Sequence, residues 1–131
     1  MAQAFDRLVR RCIAICLVPV VLSGCQYFSR ATAPCPEVMD AEAWVNRMPG
    51  IGASPAKLIV SLTVSDERAW MMKPAEAEGP GEMSLDLVPG GNSVPGTVAY
   101  RQRQPAPLPE TIRIMCRGGE IARIDEILIV Q

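Results

Sequence analysis

Histidine is absent from all 131 residues. That absence removes the base of a Ser/His/Asp or Cys/His arrangement, every His-based metal site, and the side chain that changes charge near neutral pH. An enzyme built on this chain would have to work with carboxylates, lysine or serine alone, and no acid, base and nucleophile converge in the sequence. We therefore expect a non-enzyme that needs neither metal nor cofactor. Aromatic residues are scarce at 5%, so a core must be built largely from aliphatic side chains. Charge of one sign is missing as well, the formal net charge being −1. Such a balance excludes the basic footprint of a nucleic-acid-binding protein. No apolar run has the length of about 20 residues that a helix needs to cross a bilayer core. The longest candidate, Cys12 to Leu22, is about half of that.

What is present begins with Arg7, Arg10 and Arg11, which precede that apolar run, and the small residues Ser23 and Gly24, which follow it. Charged, apolar and small segments in this order have the layout of a secretory signal peptide. The uncharged stretch continues to Ser29, which keeps an uncleaved membrane anchor as the alternative, although Pro19, Ser23, Gly24 and Gln26 weaken it. Leu22-Ser23-Gly24-Cys25 resembles the bacterial lipobox. The resemblance implies that residues 1–24 are removed, that the Cys25 sulfur receives diacylglycerol, and that its new amino group is acylated, typically with palmitate. Gln26, where Asp would signal retention, resembles the outer-membrane sorting pattern of Gram-negative bacteria. The expected location is thus the periplasmic side of the outer membrane, with the membrane itself as a partner through the acyl chains on Cys25. Each buried methylene contributes about 0.8 kcal/mol, so two or three chains anchor the protein without a transmembrane helix. Beyond the lipobox, "CPE", "AWVNRMPG" and the Ile112-x-Ile114-x-Cys116-x-Gly118-Gly119 region are similar to uncharacterised small envelope proteins of Gram-negative bacteria.

Five cysteines then reduce to a pair. Cys12 and Cys16 leave with the leader and Cys25 carries lipid, so Cys35 and Cys116 remain. An oxidising envelope favours a disulfide between them. A redox dithiol would usually show Cys-x-x-Cys and a zinc site would need four ligands, neither of which is present. The bridge would close a loop of about 80 residues, for which chain entropy gives about 4.5 kcal/mol as a high-side value.

Residues 25–34 read as a lipidated tether, reaching at most about 35 Å, and residues 35–131 as a disulfide-stapled β-domain. The stretch "DAEAWVNRM" predicts a short helix from Asp40 to Met48, capped by Asp40, with Ala41, Trp44, Val45 and Met48 packed on a sheet. From Lys57 the period changes to two. Leu58, Val60, Leu62 and Val64 share one face of "KLIVSLTV". Met83, Leu85 and Leu87 alternate with Glu82, Ser84 and Asp86, while Ile112, Ile114 and Cys116 point one way in "TIRIMC". Arg117 to Glu120 predicts a hairpin turn. The apolar "ILIV" at Ile127 to Val130 predicts a strand covered on both sides. The fold class is mainly β, a small antiparallel sandwich or open barrel of about six or seven strands with one short N-terminal helix.

Among the loops, "PAEAEGPGE" reads as a solvated acidic segment, "PGGNS" as a turn and "QPAPLP" as a stiff connector. Trp70, Met71 and Met72 cannot all point inward on a strand, which marks Trp70 and Met72 as candidate binding residues. Arg101 and Arg103, on the face opposite Tyr100, are candidates for contacting anionic headgroups, peptidoglycan carboxylates or a protein. The functional expectation is a membrane-anchored envelope lipoprotein acting as a binding or structural module with an envelope protein partner. The alternative is an inhibitor of an envelope-directed hydrolase such as lysozyme.

Overall fold

The computed structural model describes residues 33–48, 52, 54–92 and 94–131. The expected leader, the expected lipidation residue Cys25 and the expected tether as far as residue 32 lie outside them. Pro34–Gln131 forms one compact unit that contains every strand described below.

Eight strands make up that unit: β1 (Val38–Asn46), β2 (Lys57–Val64), β3 (Trp70–Ala75), β4 (Glu82–Pro89), β5 (Thr97–Arg103), β6 (Thr111–Cys116), β7 (Gly119–Ile124) and β8 (Ile127–Val130). They form two four-stranded sheets, β5-β2-β1-β8 and β3-β4-β6-β7. The inner faces supply a sandwich core. Leu58, Val60 and Leu62 from β2 are fully buried, as are Leu85 from β4 and Ile112 and Ile114 from β6. These are the inward sets that alternation predicts.

Four expectations need correction. The sheets are mixed rather than antiparallel, because β1 pairs with β8 and β4 with β6 in parallel. The cause is the chain path: β4 is followed by β5 in the other sheet, and β6 then returns beside β4. The strands of each parallel pair are therefore not consecutive, and no hairpin joins them.

The predicted helix from Asp40 to Met48 is instead most of β1, which pairs antiparallel with β2 over nearly its whole length. Alanine and glutamate favour a helix, yet nine residues are too few for helical propensity to hold alone. Pairing with β2 overrides it, burying Ala43 and Val45 while Glu42 and Asn46 face solvent.

The third correction concerns "ILIV". It forms the edge strand β8, and Leu128 and Ile129 are 55% and 47% exposed, so this run is not covered on both sides. Within β4, Ser84 also departs from the predicted alternation, since it is buried.

Cys35, ahead of β1, is bonded to Cys116 at the end of β6, with Cα atoms 6.1 Å apart. The bond ties the lead-in to one sheet to a central strand of the other. Cys116 is also paired with Gly119 across the β6–β7 turn. The two central residues of that turn are Arg117 and Gly118, at φ 54° and 81°. Positive φ at both positions is what a tight I′ hairpin requires, and glycine fills the second without a Cβ penalty.

Candidate binding surface

On one side of the sandwich, the edge strands β3 and β5 lie side by side but belong to different sheets. Backbone pairing stops at this seam, and two clefts open along it. The first, about 500 Å³, is floored by Trp70, Met72 and Val98 and rimmed by Asn92, Val94 and Arg101. Its apolar lining follows from alternation on β3, which sends Trp70 and Met72 inward and leaves Met71 half-buried toward the rim. Gly91 makes the rim possible: its φ is 89°, and a Cβ there would stand 3.1 Å from the Met71 Cβ.

Trp70 is held by more than burial. Its indole N–H donates to Asp66 Oδ2 at 3.3 Å, and the Arg68 guanidinium stacks over the ring at 5.5 Å. Arg68 also donates through Nε to the same Asp66 oxygen at 2.6 Å, and its backbone N–H donates to Asp66 Oδ1 at 2.9 Å. These bonds, the Arg68 side chain first among them, bring the Asp66 carboxyl down to about 2. A terminal guanidinium N–H of Arg68 reaches the Pro34 carbonyl at 3.4 Å, fixing the loop before β3 against the start of the compact unit.

The second cleft, about 350 Å³, lies farther along the seam, between the β3–β4 loop and the proline-rich segment. Pro105, Pro107 and Leu108 form one wall, Pro74 and Met83 another. The proline-rich stretch thus walls a cleft and joins β5 to β6 across the two sheets. Tyr100 Oη donates to Gln102 Oε1 at 3.1 Å, and the Gln102 amide donates to the Met83 sulfur at 3.6 Å.

On the outer face of the second sheet the acidic loop finds partners. Arg113 of β6 pairs with Glu78 and with Glu120 of β7, while Glu82 stands 3.8 Å away. Arg123 donates two bonds to Glu120, each 2.9 Å. Hydrogen bonds from Arg123 and then Arg113 lower the Glu120 carboxyl to about 2. Donation from Arg113 to Glu78 and then to Glu120 raises the Arg113 guanidinium pKa. The segment read as freely solvated is therefore partly engaged through Glu78.

Of the four candidate binding residues, three share the first cleft. Trp70 and Met72 are core residues whose inner surfaces floor it, at 1% and 6% exposure, which corrects the reading of both as surface contacts. Alternation carries both inward, where two packed sheets need bulk. Arg101 is exposed on the rim. Arg103 stands apart from the cleft, exposed on the outer face opposite Lys57 of β2. Arg101 is opposite Ile59 in the same ladder.

Trp44 has a place that the sequence reading missed. It lies on the outer face of β1, half-buried, between Ile59 of β2 and Leu128 of β8. The strict alternation of Asp40, Glu42, Trp44 and Asn46 with Ala41, Ala43 and Val45 is the signal that would have found it.

Among the described residues no cluster of three or more Cys, Asp and Glu side chains is arranged to hold a metal ion, and no helix is long and apolar enough to cross a membrane. No family model, curated protein or solved structure matches the chain.

Proposed function

We propose that this chain is an envelope lipoprotein, held to the periplasmic side of an outer membrane by acyl chains on Cys25, and that its β-sandwich is a binding or structural module. The observation that carries the reading is the N-terminal layout: Arg7, Arg10 and Arg11, the apolar run, then Leu22-Ser23-Gly24-Cys25. The Cys35–Cys116 bond supports it, since such bonds persist in oxidising compartments. So does the domain, which offers an apolar cleft and a partly exposed sheet face where a partner would sit. A tether of ten residues keeps the start of the domain, at Cys35, within about 35 Å of the bilayer.

Metabolic labelling with palmitate, followed by density fractionation of membranes, tests the anchor. Label on the wild-type chain, none on Cys25→Ala, and recovery in the outer-membrane fraction are the expected results. Label that persists in the variant would remove the anchor, and inner-membrane recovery would remove the sorting. Pull-down from crosslinked envelopes addresses the module: an envelope complex is expected, and recovery of a soluble hydrolase alone would replace it with an inhibitor.

A further inference from the structure

The outer face of the β5-β2-β1-β8 sheet carries charge of opposite sign at opposite corners, and Met48, Ser54 and Pro55 of the β1–β2 connection border it beside Asn46, Lys57 and Ile59. Side chains directed outward form a grid set by the strand register. Asp40 and Glu42 of β1 stand at one corner, both exposed. Lys57 of β2 with Arg103 and Arg101 of β5 occupy the diagonal corner, also exposed. No ion pair within the described residues involves these three cations; the pairs formed engage Arg68, Arg113 and Arg123 instead. Lys57 and Arg103 are direct cross-strand partners. Like charges placed opposite one another destabilise a sheet, so folding alone gives no reason for the pair.

Between the corners runs an apolar row, Ile59, Trp44 and Leu128, aligned by register across three strands. Leu128 is 55% exposed, and Ile59 and Trp44 are partly so. Large aromatic and aliphatic side chains grouped on a partly exposed face mark an interaction surface.

We propose that this face binds a second copy of the chain in an isologous dimer. With neighbouring strands about 4.8 Å apart and same-face residues about 6.7 Å apart along a strand, the grid is roughly 19 Å wide and 27 Å tall. A two-fold axis lying in the contact plane, along the diagonal from Thr97 toward Val130, sets Asp40 and Glu42 of each copy against Arg101 of the other, with Lys57 and Arg103 farther out on the same side. Trp44 lies on that diagonal and meets its own counterpart. Strands of the two copies then cross steeply, as in orthogonal sheet packing. The planar face measures roughly 500 Å² from those spacings, below the ~800 Å² per partner of a standard interface, so the dimer is weak and concentration-dependent.

The test places a photo-crosslinking amino acid at Asn46, on the outer face beside Lys57, in the full chain within cells. Irradiation is expected to give a covalent dimer, identified by mass spectrometry. Reversing one corner with Arg101→Glu and Arg103→Glu should reduce the dimer by about tenfold or more, since juxtaposed like charges cost several kcal/mol. Adding Asp40→Lys and Glu42→Lys to that variant should restore it. Formation of the Cys35–Cys116 bond on a non-reducing gel shows that each variant folds. Crosslinks from Asn46 to another protein or to lipid without a dimer, or a doubly reversed variant that stays monomeric while folded, would overturn the proposal.

Discussion

Trp70 shows how one residue serves packing and surface together. Its ring is almost fully buried and shapes the cleft floor from beneath, with almost no surface of its own. Trp70→Ala should therefore destabilise the fold by about 3–5 kcal/mol, whereas Arg101→Ala on the rim should stay within about 0.5 kcal/mol. Urea unfolding followed by circular dichroism separates the two. Acid sensitivity also belongs to single residues. Asp66 and Glu120 titrate at about 2 in the folded chain, against about 4 for such groups unfolded. Between those values the unfolded chain binds more protons, so stability rises with pH; it is fully present above about pH 5 and is lost as the pH falls through 2. Urea midpoints from pH 7 to pH 2 should fall accordingly. The Asp66→Asn, Glu120→Gln double variant should show a flatter profile.

Strand β1 is the element where propensity and environment disagree. Its two alanines and one glutamate are good helix formers, but its length gives a helix too few turns, and a neighbouring strand with a strongly apolar face supplies the alternative. Alternation, not propensity, tells which residues matter. Ala43→Glu places a carboxylate at a position 2% exposed and should unfold the domain or cost several kcal/mol, while Glu42→Thr, one residue away, should be neutral or slightly stabilising. Thermal melts of the two variants check this: equal effects would contradict the strand register. Strands β2, β4 and β6 were legible because their period of two is carried by Leu, Ile and Val. Strand β8 was misjudged for the opposite reason. Four consecutive apolar residues do not say whether they are covered or sit at an edge.

For the whole molecule, the disulfide is the largest single constraint. Cys35→Ser with Cys116→Ser should lower stability by up to about 4.5 kcal/mol, the chain-entropy value for a loop of this length. That loss should appear as a lower urea midpoint with no change in wild-type strand content under native conditions. A midpoint that does not move would mean that the two sheets hold without the staple. The pair itself was readable, since assigning Cys12, Cys16 and Cys25 to the leader and the lipid leaves two cysteines. Which strands they join was not readable. Cys116 ends a central strand of one sheet and Cys35 leads into the other, a relation that depends on how the chain crosses between sheets.

By itself the sequence determined the β class, the inward faces of the regular strands, the cysteine pair and an N-terminus that reads as a lipidation signal. Each is local: a period, a spacing or a short ordered motif. Only the tertiary structure decided that β1 is a strand, that two strand pairs run parallel, and that three of the four candidate binding residues share a cleft. It alone set Asp40 and Glu42 diagonally across from Lys57, Arg101 and Arg103. Those outcomes depend on the pairing of distant segments, and the free energy of pairing comes from surfaces that no short window of sequence contains.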